Sequence, residues 1–128
     1  MIRWFEKYKG VSWVVTIVIG VVMFYISSLT FVTSGSGASI KTIVYHLAAF
    51  FFLTFFLLIS LVGGKKKRLF VLGIVLAIVY GISDELHQFF VPGRCMSLFD
   101  IFLNSVGVAF AAMIYFIYVE EKNGKRFK

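Results

Sequence analysis

Four long apolar runs, separated by short polar interruptions, organise the chain: Val11 to Leu29, Ile43 to Val62, Leu69 to Val91 and Leu98 to Val119. A bilayer core of about 30 Å takes roughly 20 residues at a 1.5 Å rise, so each run is long enough to cross it as a helix. The pattern predicts an all-α, polytopic integral membrane protein: four transmembrane helices in one antiparallel bundle, with residues 1–128 forming a single domain. Its interruptions are a Ser/Gly-rich connection from Thr33 to Ser39, a basic run from Gly63 to Arg68, and a tight turn around Pro92-Gly93. The Pro-Gly pair suits the middle positions of a type II turn. Connections this short make consecutive helices antiparallel neighbours.

Composition agrees with the pattern. At 60% hydrophobic and 19% aromatic residues, the chain is too apolar for a small water-soluble core. Its net charge of +7 does not indicate a nucleic-acid partner, because the basic residues stand in clusters between apolar runs and not along one polar face. A single cysteine, Cys95, excludes an intrachain disulfide and belongs to no cysteine-based metal motif.

The basic clusters predict an orientation. An even number of spans puts both termini on one side with the second connection. That side carries Arg3, Lys7 and Lys9, then Lys65, Lys66, Lys67 and Arg68, then Lys122, Lys125, Arg126 and Lys128, which makes eleven against Lys41 and Arg94 opposite. Positive residues collect in the cytoplasm, so both termini are expected there. The first run is read as a span and not a cleaved signal peptide, for which its 19 apolar residues are long.

Polar residues within the runs fall at one depth. His46 lies 16 residues from Val62, Asp84 16 from Arg68 and Asn104 16 from Glu120, each about 24 Å from the cytoplasmic end. Lys41, Thr42, Tyr45, Glu85, His87, Gln88, Arg94, Ser97 and Asp100 lie at that level or beyond it, and the lower halves carry almost no polar side chain. Asp84, His87 and Gln88 follow i, i+3, i+4 spacing, which assigns them to one side of the third helix. Gly73, Ala77 and Gly81 form a small-residue stripe leading to Glu85, and Gly107 and Ala111 continue the polar patch of Ser97, Asp100 and Asn104 on the fourth helix. Such stripes let helices approach closely in lipid.

Acids within a membrane cost roughly 2.5 to 3.5 kcal/mol each at its centre, so Asp84, Glu85 and Asp100 call for a reason. Helix glue is one: Asp100 caps the fourth helix and Arg94 pairs with Asp84 or Glu85. That leaves both histidines, Gln88 and Asn104 unexplained. A divalent metal is compatible with Asp84 and His87 at i, i+3, with His46, Glu85 and Asp100 as further ligands, although no metal or other cofactor is expected from the spacing alone. Nucleophilic catalysis by Ser97 or Cys95 has no histidine placed beside either.

The run Tyr80-Gly81-Ile82-Ser83-Asp84-Glu85-Leu86-His87-Gln88-Phe89-Phe90-Val91-Pro92-Gly93-Arg94, followed by Ser97, Asp100, Asn104 and Gly107, resembles the signature of the VanZ-like family. Lys41 and His46 also match that family, so the resemblance spans about Ser12 to Tyr118. It implies a small bacterial membrane protein, from a family named for an accessory product of glycopeptide-resistance clusters associated with teicoplanin resistance. Many relatives occur outside such clusters, and the resemblance names no reaction. The site residues it implies are Lys41, His46, Asp84, Glu85, His87, Gln88, Arg94, Ser97, Asp100 and Asn104, the same set that depth and facing select.

The functional expectation is an extracytoplasmic polar cavity in the cell membrane that binds the polar or anionic head of an envelope lipid or lipid-linked amphiphile, with Arg94 and Lys41 engaging phosphate or carboxylate. One alternative is a membrane-embedded hydrolase or transferase using His46, Asp84, Glu85 and His87 in acid–base roles. A small transporter or proton relay is the other, and assembly as a homo-oligomer would supply its pore.

Overall fold

The computed structural model describes residues 1–30, 39–63 and 68–124. Within them the chain forms α1 (Ile2–Lys7), α2 (Lys9–Ser27), α3 (Ile40–Val62), α4 (Arg68–Phe89) and α5 (Leu98–Gly124), with no strand. Helices α2 to α5 are long and apolar enough to cross a membrane, as the hydrophobic runs predict. Most of the connection from Thr33, the lysines Lys65, Lys66 and Lys67, and the terminal Lys125, Arg126 and Lys128 lie outside the described residues.

The helix boundaries differ from the hydrophobic runs for identifiable reasons. A short helix, α1, precedes the first span and is absent from the apolar pattern. Tyr8, at φ −102° and ψ 65°, breaks the path between α1 and α2, and the Ser12 hydroxyl spans the break by donating to the Phe5 carbonyl at 2.8 Å. Helix α3 starts three residues before its apolar run because Ser39 caps it, accepting the Lys41 N–H at 3.3 Å. Helix α4 stops at Phe89 and not Val91, since a residue before proline is steered away from helical dihedrals. Pro92 and Gly93 then occupy the middle of the expected type II turn. Gly93 has φ +81°, and Arg94 donates its N–H to the Val91 carbonyl at 3.0 Å. Helix α5 outlasts its apolar run and ends at Gly124.

The bundle is built around α3, which packs against every other helix. Its buried residues include Phe50, Leu53, Leu58, Ile59 and Val62. The small-residue stripe of α4 is buried against this helix, with Gly73 facing Leu58 and Gly81 facing Phe50. Helix α5 comes closer still at Gly107, where a β-carbon would meet the Leu47 carbonyl oxygen. Outward faces are apolar, as lipid requires: Val14, Val21, Val71, Val79, Phe102 and Ile117 are all exposed.

At the end holding both termini, Glu6 of α1 accepts hydrogen bonds from the hydroxyls of Tyr115 (3.2 Å) and Tyr118 (3.1 Å). It also forms an ion pair with Lys122. The terminal end therefore holds a polar clasp that the hydrophobic pattern did not indicate. Between the two ends, Thr16 of α2 meets Ser60 of α3, oxygen to oxygen at 3.4 Å.

Candidate functional site

The opposite end of the bundle collects the polar residues of α3, α4 and α5. His46 is one and a half turns into α3 and buried. Its Nδ1 is 2.9 Å from the Asn104 Oδ1 of α5. An amide oxygen only accepts, so Nδ1 carries the ring proton. Nε2 points the other way, 3.8 Å from Asp100 Oδ2. Tyr45 stands edge-on to the same ring, with centroids 5.4 Å apart.

Helix α4 contributes Asp84, Glu85 and Gln88, all buried. The Gln88 amide donates to Asp84 Oδ2 at 3.1 Å, as their i, i+4 spacing allows. Glu85 Oε2 accepts the backbone N–H of Ser97 at 3.1 Å, which ties α4 to the residue entering α5. Ser97 also caps α5: its hydroxyl accepts the Asp100 N–H at 3.2 Å. The cap is therefore Ser97, and Asp100 occupies the first turn, where the helix dipole favours an acid.

Three ligating side chains meet here from three helices. One atom each of His46, Glu85 and Asp100 lies within 4.8 Å of the others. Several buried atoms in the cluster have no hydrogen-bond partner among the described residues: Asp84 Oδ1, Glu85 Oε1 and Asn104 Nδ2. Arg94 is half-buried beyond the turn, and its charge acts on Glu85 and Tyr45. Lys41 is exposed in the first turn of α3, nearer the helix end than His46.

His87 departs from the expected grouping. It faces α2, where Nε2 is 3.0 Å from the Ser28 hydroxyl and the ring stacks on Phe24 at 4.5 Å. At about 100° per residue, Glu85 and His87 are roughly 160° apart around α4, on either flank of Asp84. The two cannot serve one centre, which removes His87 from the ligand set suggested by its spacing from Asp84. Ser28 and Phe24, spaced i, i+4 at the end of the first apolar run, were the available signal for this contact. The other residue overlooked was Glu6, an acid just before the first span.

Of the motif residues, Asp84, Glu85, Gln88, Ser97, Asp100 and Asn104 thus gather with His46 at one end of the bundle, and His87 turns away from them. The family model for VanZ/LLP1 matches residues 7–119. The chain belongs to that family. The matched region takes in all of the cluster, α2 to α4 and α5 as far as Val119, so the VanZ/LLP1 match covers most of the multi-pass membrane fold together with its polar end. No curated protein and no solved structure matches the chain.

Proposed function

We propose that the polar end of the bundle binds the polar or anionic head of an envelope lipid or lipidated amphiphile, and that it faces the extracytoplasmic side. The observation that carries this reading is the set of buried, unpartnered atoms Asp84 Oδ1, Glu85 Oε1 and Asn104 Nδ2, gathered at one end. Each such atom costs about 1 to 3 kcal/mol when left unpaired. A headgroup would offset that cost, with hydroxyl or amine protons meeting the carboxylates and an oxygen meeting the amide. Arg94 and Lys41 add positive charge for phosphate or carboxylate, Arg94 through its planar fork.

Sidedness rests on the excess of basic residues at the terminal end. In a family member that acts in glycopeptide resistance, such binding would change the access of a lipidated glycopeptide to its membrane target. The rival reading, a hydrolase or transferase, draws on one observation: with its Nδ1 proton engaged by Asn104, His46 presents Nε2 to the cluster as a base.

Native mass spectrometry of gently purified protein tests the proposal. Expected is a co-purifying amphiphile whose retention drops in Arg94→Ala and Lys41→Ala and is little changed in His87→Ala. Absence of any ligand, with alanines across the cluster altering only thermal stability, would reduce these residues to helix glue. Conversion of a bound lipid that His46→Ala abolishes without releasing the lipid would assign the enzyme instead.

A further inference from the structure

His46 on α3, Glu85 on α4 and Asp100 on α5 bring one ligating atom each to within 4.8 Å of the others. Two further features distinguish this group from acids that happen to be neighbours. Asn104 Oδ1 lies 2.9 Å from His46 Nδ1 and fixes the ring's orientation, so that Nε2 is turned toward Asp100 Oδ2 at 3.8 Å. An imidazole whose second nitrogen donates to an oxygen is also how metal-ligating histidines are oriented. Glu85, 0% exposed, supplies the second feature: Ser97 holds Oε2, while Oε1 is buried with no partner.

We propose that His46, Glu85 and Asp100 together bind one divalent first-row ion of the Zn²⁺ type. One imidazole and two carboxylates form a mixed nitrogen and oxygen set suited to such ions. Bonds of about 2.0 to 2.2 Å put tetrahedral ligands roughly 3.3 Å apart, so the donors draw together by up to about 1.5 Å on binding. Asp100 is the member able to move, since its side chain is 16% exposed and that of His46 only 3%.

Three protein ligands leave a coordination position for water or a ligand oxygen. This inference goes beyond headgroup binding and does not depend on it.

The test uses the full chain in detergent, stripped with EDTA and titrated with ZnCl₂ by calorimetry, with stoichiometry from elemental mass spectrometry. Expected is one ion per chain. Glu85→Gln and Asp100→Asn should each weaken binding at least about tenfold, and Asn104→Leu, which keeps all three ligands, roughly 10- to 100-fold. Cys95→Ser should bind as wild type does. Circular dichroism and size exclusion establish that each variant is folded, and if Glu85→Gln does not fold, the partly exposed Asp100→Asn decides. Folded wild type that takes up no zinc at micromolar concentration overturns the proposal, and so does affinity unchanged by Asp100→Asn. Lipid retention is scored in the same stripped protein, so loss of zinc binding and loss of headgroup binding are read separately.

Discussion

Gly107 of α5 lies so close to α3 that a β-carbon on it would sit 2.6 Å from the Leu47 carbonyl oxygen. The obstacle is backbone, which cannot swing aside as a side chain would. His46, next to Leu47 on α3, and Asn104, about one turn before Gly107 on α5, form a 2.9 Å hydrogen bond that depends on this approach. Gly107→Ala should therefore destabilise the protein by about 1 to 3 kcal/mol, the usual range for overpacking. It should also remove ligand retention, because α3 and α5 separate at the site. Thermal unfolding and lipid retention, measured together, check both effects.

The clasp at the terminal end predicts the opposite combination. Glu6 takes two tyrosine hydroxyls and the Lys122 ammonium, with its own side chain only 6% exposed. Glu6→Ala strands those donors and should cost about 2 kcal/mol. Ligand retention at the far end should be unchanged once the protein is folded. A parallel loss of ligand would show that the two ends are coupled.

His87 predicts a different separation. Its contacts are the face of Phe24 on α2 and Ser28, the residue that caps the end of that helix. His87→Ala should lower stability by about 1 kcal/mol through loss of the hydrogen bond and the stacked ring. Ser28→Ala should reproduce part of that loss, and the double variant should show less than the sum of the two. A double-mutant cycle in thermal stability measures the coupling, and additive effects would mean that the two side chains do not interact.

Ser97 separates side-chain from main-chain roles. Its hydroxyl caps α5, whereas its backbone N–H holds Glu85. Ser97→Ala removes only the cap and should cost about 1 kcal/mol. Because alanine keeps the N–H, Glu85 stays anchored and ligand retention should persist. Loss of the ligand in a folded Ser97→Ala protein would instead give the hydroxyl a direct part in binding.

Much of this protein was legible along the chain. Run length determined the four spans, because a bilayer of nearly constant thickness demands a nearly constant number of apolar residues. Pro92-Gly93 determined the turn through the dihedrals those two residues favour. The level of His46, Asp84 and Asn104 followed from helical rise alone, and the small residues of α4 and α5 marked the faces that pack on α3.

What the tertiary structure decided was the direction each polar side chain faces. On α4, Asp84 and Gln88 share a face, but Glu85 turns to Ser97 and His87 to Ser28. A helix lodged among three neighbours presents a different flank to each, and sequence spacing reports the angle between flanks without naming the neighbour across from them. The pairing of His46 with Asn104, 58 positions later, and of Glu6 with Lys122, 116 positions later, belongs to the same class of fact. Such contacts depend on how the helices rotate and pack together, which is settled only when all of them bury their faces at once.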